Sequence, residues 1–135
     1  VMSTRSTIAK VQEDGQTIRS IYCHFDGYPE YVGKVLQEHY TNENKIDQLL
    51  ALGDLSILDK EIGEAQSDAF TEPDFTRKEG YCLAYGRDRG EMDVNAIVHA
   101  NQNEWLGFRE GSWCEYGYLW DGSTWHVYEI GNNVP

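Results

Sequence analysis

The chain has 135 residues, 40% of them hydrophobic and 13% aromatic, enough to bury a core without a metal or disulfide and too apolar for a disordered chain. With 23 carboxylates against 11 Lys and Arg, the formal net charge is −12. This argues against DNA or RNA binding by phosphate neutralisation, and against an anionic membrane surface, and favours a basic partner.

Cations cluster only at Arg77-Lys78 and Arg87-Asp88-Arg89. Cys23, Cys82 and Cys114 are an odd number with no C-x-x-C spacing, so neither a zinc knuckle nor a redox pair is expected, and free thiols in a reducing cytoplasm are. No apolar run approaches the ~18 residues of a membrane span, and no apolar h-region opens the chain. The expected setting is the cytoplasm of a host cell.

Residues 6–12 and 16–24 alternate and are rich in β-branched types around Asp14-Gly15, which predicts a β-hairpin. In the second strand Arg19, Ile21, Cys23 and Phe25 share one face, and Tyr22 and His24 point the other way. Asp26-Gly27-Tyr28-Pro29 supplies a turn and a helix start. Val32, Val35, Leu36, His39 and Tyr40 then form an apolar stripe at helical spacing over 29–40. Thr41 or Asn42 caps a second helix whose stripe is Ile46, Leu49 and Leu50, with Gly53 as its left-handed stop.

Ile57, Leu58 and Ile62 fit one more short helix, after which periodicity is lost through residue 79. Residues 80–86 read as a buried strand, and 87–101 suit a helix or a strand equally. Residues 114–120 and 124–130 flank Asp121-Gly122-Ser123 as a second hairpin; with Gly122-Ser123 as the turn, Trp120 lies opposite Trp125 and Tyr118 opposite Val127. The expectation is a single α+β domain over 1–135. Its antiparallel sheet is built from an N-terminal and a C-terminal β-hairpin, with a helical hairpin packed on it and 59–79 as an acidic loop or short-helix insertion.

Three stretches carry candidate chemistry. The first is the strand end and turn from Tyr22 to Pro29, where Tyr22, His24, Asp26 and Tyr28 are candidate partner-binding residues. A Cys/His/Asp set can also ligate zinc or move protons, but Cys23 and His24 point to opposite faces and cannot easily share a metal. The plain alternative is structural, with Asp26 capping the helix. The second stretch holds six carboxylates, Asp59, Glu61, Glu64, Asp68, Glu72 and Asp74, against one cation, Lys60. It is either a solvated loop or a mimic of a phosphate row, since duplex DNA carries one charge per ~1.7 Å of axis. The third is the aromatic tail, Trp105, Phe108, Trp113, Tyr116, Tyr118, Trp120, Trp125 and Tyr128. It completes a core as a cross-strand ladder, anchors an interface or stacks bases, the last disfavoured because no cations accompany the rings. There is no G-x-S-x-G, Walker loop, G-x-G-x-x-G or H-E-x-x-H, and His99 and His126 stand alone.

Met2-Ser3-Thr4-Arg5-Ser6-Thr7-Ile8-Ala9 and Ile21-Tyr22-Cys23-His24-Phe25-Asp26-Gly27-Tyr28-Pro29 resemble stretches of small proteins encoded by bacteriophages and mobile elements. Gly33-(x2)-Leu36-(x2)-His39-Tyr40, Leu49-(x2)-Leu52-Gly53-Asp54-Leu55 and the aromatic C-terminal hairpin are similar to theirs as well. The resemblance covers most of the chain and carries over no catalytic residue. It implies a short phage gene outside the structural modules, where host-takeover and counter-defence proteins are common.

The expected function is therefore a counter-defence or host-takeover inhibitor of anti-CRISPR or anti-restriction type. It would occupy the basic groove of a host defence nuclease complex by acidic DNA mimicry, without cofactor, metal or catalytic residue and without contacting nucleic acid directly. One alternative is a sponge for an immune nucleotide signal, using Arg87, Arg89 or Arg109. The other is a small metal-dependent enzyme using His24, Asp26 and His39.

Overall fold

The computed structural model describes residues 4–65 and 79–130, and its first hairpin is set by Asp14. That carboxylate accepts the N–H groups of Gln16 and Thr17 at 2.9 and 2.8 Å, an Asx-type turn. It pairs β1 (Ser6–Val11) antiparallel with β2 (Ile18–Cys23), Ser6 opposite Cys23 and Val11 opposite Ile18.

Helix initiation after β2 departs from the expected cap. Tyr28, not Asp26, is the extended residue at the start, and Asp26 contributes its backbone carbonyl, which accepts the Val32 N–H at 3.3 Å. Pro29–Gly33 forms one wide π turn before α1 (Lys34–His39). Asn42 caps α2 (Glu43–Ala51), its side chain accepting the Lys45 N–H. Gly53 then takes the left-handed conformation at φ 79°, with its Cα so close to the Val94 carbonyl that any Cβ would collide.

The apolar residues after Gly53 do not make a helix. β3 (Leu55–Ile57) runs parallel to β2, with Leu55 beside Cys23, so α1 and α2 are the crossover that parallel neighbours require. The expected strand over 80–86 shortens to β4 (Leu83–Ala84) on the far side of β3, because α3 (Tyr85–Arg89) starts immediately. The ambiguous stretch resolves into the end of α3 and a short β5 (Ile97–His99) antiparallel to β2.

α4 (Gln102–Gly111) follows, capped by Asn101, and then β6 (Tyr116–Trp120) and β7 (Trp125–Glu129). Trp120 lies opposite Trp125 and Tyr118 opposite Val127, the register a two-residue turn demands. The Asp121 carboxylate holds that turn through the Ser123 and Thr124 N–H groups.

Among the described residues seven strands form one mixed sheet in the order β4-β3-β2-β1-β6-β7, with β5 beside the start of β2. Both expected hairpins are present, but the sheet is mostly antiparallel rather than wholly so. β6 lies parallel to β1, Ser6 beside Tyr116 and Lys10 beside Trp120. The long stretch between the hairpins lets β6 return in the direction of β1 instead of folding back on it.

Two helical layers cover the two faces. On one, Ile8, Ile21, Cys23, Tyr118, Trp120 and Trp125 pack against Val32, Leu36, Ile46, Leu49 and Leu50, all buried. Each fully buried aliphatic side chain there contributes about 1.5–3 kcal/mol. On the other, α4 lays Trp105 over Ala9, Ile18 and Leu119. Its indole passes within contact distance of Gly117, where a Cβ would come 3.1 Å from the ring. Trp105 is thus a helical residue buried on the second face, not a rung of the expected cross-strand ladder; Trp120 and Trp125 do form that ladder, with ring centroids 5.4 Å apart.

Candidate functional site

The second face of the sheet carries a polar seam. The pairing of β1 with β2 puts Ser20 and Tyr22 on this face, and the Tyr22 hydroxyl reaches His24 just beyond the strand, as strand alternation expected of Tyr22 and His24. α4 brings Arg109 down onto Ser20. The guanidinium donates from Nε at 3.1 Å and from Nη2 at 2.9 Å to the Ser20 hydroxyl oxygen. His99 Nε2 lies 2.8 Å from the same oxygen.

Proton bookkeeping fixes the roles. Arginine only donates, and a hydroxyl has two acceptor positions and one hydrogen. Both acceptor positions of Ser20 serve Arg109, so its hydrogen goes to His99 Nε2. His99 is therefore neutral with its proton on Nδ1. Burial, and then the Arg109 charge, hold its pKa below the usual 6.5. His99, which stands alone in the sequence, is part of a network.

The seam continues toward the end of β2. The Tyr22 N–H donates to Asp54 Oδ1 at 2.9 Å, and the Tyr22 hydroxyl lies 2.8 Å from His24 Nδ1. Burial raises the Asp54 carboxyl, while the Tyr22 N–H and the Arg109 charge pull it back. Burial likewise lowers the Arg109 guanidinium, against the charges that Cys114, Asp54 and Tyr22 carry when ionised. His24 is held below its ordinary value by burial, then by Arg5 and Arg89. A seam with this much desolvated charge is sensitive to any missing member.

A serine hydroxyl donating to a histidine is the ground state of a nucleophile and its base, but this one is closed. Ser20 is fully buried and His99 is 6% exposed. The thiols are closed too: Cys23, Cys82 and Cys114 are unbridged and buried. Burial pushes Cys23 and Cys114 up to about 12 and raises Cys82. Low-pKa thiolate chemistry is therefore absent from all three.

Asp26 and Tyr28 lie apart from the seam. Asp26 is exposed with φ 57°, a left-handed conformation that Asp tolerates. Tyr28 donates its hydroxyl to Asp26 Oδ1 at 3.4 Å. Gly27 between them is pressed against β1: a Cβ there would sit 2.6 Å from that of Ser6, and its N–H donates to Thr4 O at 2.8 Å. The Tyr118 hydroxyl donates to Gly27 O at 2.6 Å. The turn is thus clamped from below and presents Asp26 and Tyr28 to solvent. His39 is partnered by Glu38 at 3.9 Å. Among the described residues no group of three or more His, Cys, Asp or Glu side chains converges as metal ligands would.

The acidic stretch is described as far as residue 65; Asp68, Glu72 and Asp74 lie outside the described residues. Its first part is not structureless. The Glu61 N–H donates to Gly80 O and the Cys82 N–H to Glu61 O, both at 2.9 Å, and Glu61 bridges Tyr81 in parallel. Arg87 donates to the carbonyls of Ile62 and Gly63 at 2.9 and 3.3 Å. Asp59 is drawn inward, its carbonyl accepting the Tyr40 hydroxyl at 2.7 Å and its carboxylate the Lys60 N–H at 2.8 Å. The outcome is a pinned ledge beside β3 and β4 with Glu61 and Glu64 exposed.

The arginines of the sponge reading are largely committed within the chain. Arg87 is bound to Asp88 at 2.9 Å and to three backbone carbonyls. Arg109 is bound to Ser20, and Arg89 stacks 5.1 Å from the centre of the Tyr85 ring. A cleft of about 570 Å³ between α2, α3 and residues 91–95 contains one cation, Arg87, beside Glu91 and Asp93. A second of about 550 Å³ sets Lys10 and Arg19 among Glu13, Asp14 and Asp47. Neither concentrates positive charge for a phosphate.

Sequence reasoning missed Ser20, Asp54, His99 and Arg109 as one group. The available signal was Asn101 with Glu104 three residues on, a helix-start signature, followed by Trp105, Phe108 and Arg109 at helical spacing. Among the described residues no helix is long and apolar enough to cross a membrane. No protein-family model, curated protein or solved structure matches the chain, whose fold and polar seam are therefore known from its own residues.

Proposed function

We propose that this protein acts by binding, as a stoichiometric inhibitor that presents the acidic ledge at Glu61 and Glu64 to the basic groove of a host nucleic-acid-handling complex of the anti-CRISPR or anti-restriction kind. The observation that carries the reading is a division of labour. Exposed carboxylates stand on a backbone-pinned ledge, while every cysteine and the serine–histidine pair are buried. A pinned ledge costs little ordering entropy on docking. The net charge of −12 steers it toward Lys- and Arg-lined surfaces and away from nucleic acid itself. Asp26 and Tyr28, clamped at the sheet end, are candidate additional contacts, and the acidic residues Asp68, Glu72 and Asp74 extend the same charge in sequence.

The test is capture of partners from bacterial lysate with tagged protein, followed by mass spectrometry. The expected prey is a basic nuclease or effector subunit. It should be retained at low salt and released as salt shortens the screening length below ~8–10 Å. Converting Glu61, Glu64, Asp68, Glu72 and Asp74 to their amides should reduce capture at least tenfold. Equal capture by parent and amide variant would overturn the reading.

A further inference from the structure

Helix α4 ends on a tryptophan where helices usually place glycine. The Trp113 N–H donates to Glu110 O, and the Cys114 N–H to Arg109 O, both at 3.1 Å. These are the two hydrogen bonds of a Schellman closure, whose left-handed residue is most often Gly. Trp113 holds that position with φ 68°, a region in which a Cβ is strained. The fold gains little from the ring in return. Trp113 is 76% exposed, more than any other aromatic among the described residues. Local backbone strain and a large exposed apolar surface at one residue are costs that a purely structural role does not explain.

Its surroundings indicate what the ring meets. In sequence Glu110 precedes Trp113 by three residues and Glu115 follows it by two, both exposed, and Phe108 on the same helix is 48% exposed. An indole face attracts a guanidinium or ammonium group, Trp more strongly than Tyr or Phe. Adjacent carboxylates add charge pairing to the same cation. Trp and Arg are also the side chains most enriched at the centres of protein interfaces.

We propose that Trp113 is a contact residue for a cationic protein partner, its indole receiving an Arg or Lys side chain of that partner between Glu110 and Glu115. The proposal rests on the reading that the partner is basic, and it adds a contact separate from the Glu61–Glu64 ledge.

The test uses the full chain and a fluorescent deca-arginine peptide as probe, with affinity read by anisotropy at low salt and melting temperature measured in parallel. Trp113→Gly should melt no lower than the parent, and up to about 4 °C higher as strain is relieved, yet bind the peptide at least tenfold more weakly. Trp113→Phe, which keeps a ring, should stay within about threefold of the parent. Parent-like binding by Trp113→Gly, with weakened binding by the Glu61→Gln, Glu64→Gln double variant, would remove Trp113 and leave the ledge reading standing. No binding by the parent would overturn both readings. A melting temperature lowered by Trp113→Gly would show a structural role and overturn the proposal.

Discussion

Adjacent residues of β2 report on two unlike environments. Ile21 points into an apolar layer built from α1 and α2, where Leu36, Leu49 and Leu50 surround it. Ser20 points the other way, into a layer where Arg109 and His99 share its hydroxyl and Asp54 accepts the Tyr22 N–H within the field of Arg109. The first face is held by area removed from water, which is tolerant of detail. The second is held by donors and acceptors that must all be matched, which is not. The contrast teaches that one sheet can gain its stability on one side and its geometrical specificity on the other.

Single substitutions on the two faces should separate these two kinds of support. The largest effect should come from Ile21→Ala, about 2–5 kcal/mol by urea denaturation, because it leaves a cavity in a fully buried site. Ser20→Ala should cost less, about 1–3 kcal/mol, although it deletes only one oxygen, because two buried donors of Arg109 lose their acceptor. If Ser20→Ala were silent, the seam would be decoration rather than support. Adding Arg109→Met to Ser20→Ala should cost less than the sum of the two single changes, since the stranded charge disappears with its partner.

A smaller effect should appear with pH. The folded-state pKa of His99 lies below its unfolded value of 6.5. The unfolded chain therefore takes up the proton first as the solution is acidified. His99's contribution is complete above about pH 6.5 and is lost as pH falls through the lowered value. His24 acts in the same direction. Asp54 opposes them at more acid pH, because burial raises its pKa above 3.8 and the folded state then binds a proton more readily. Between pH 7.5 and 5.5 the melting temperature should fall by no more than about 4 °C, equivalent to ~1 kcal/mol. The fall should be shallower in His99→Gln, with His24 supplying the remainder.

The smallest response should be that of the thiols, one of which, Cys23, lies on the apolar face, while Cys114 lies near Arg109. Burial places both near 12, so neither should react detectably with Ellman's reagent at pH 8 in the native protein. Both should react once it is unfolded in urea. Rapid native reaction of Cys114 alone would mean that the second face opens more readily than the first.

Much of the first face is legible in the amino-acid order. The Asp14-Gly15 and Asp121-Gly122 turns are local devices that set both hairpins, and the second has the expected pairings of Trp120 with Trp125 and Tyr118 with Val127. The α1 and α2 stripes repeat at helical spacing, so the helical hairpin and its buried residues follow from periodicity. The second face is far less legible. Tyr22 and His24 can be assigned to it by alternation, but Arg109 meets Ser20 across 89 positions and His99 meets it across 79. Neither pairing has a local signature. Ile57 and Leu58 fit a helix on sequence because short apolar runs do not declare their period, and only the parallel seat beside β2 makes residues 55–57 a strand. Of the acidic stretch, composition establishes the charge. The pinning of Glu61 by Gly80 and Cys82 depends on a return of the chain that composition does not encode.

The charge of the molecule, its turns, its helical hairpin and the two faces of its first strands follow from amino-acid order, because each depends on composition or on residues within a few positions of one another. Long-range packing sets β6 parallel to β1, joins Ser20, His99 and Arg109 in one buried network, and leaves Trp113 exposed in a glycine's conformation. Those outcomes depend on which distant segments come together, and that choice is made by burial and hydrogen-bond matching over the whole chain rather than by local preference.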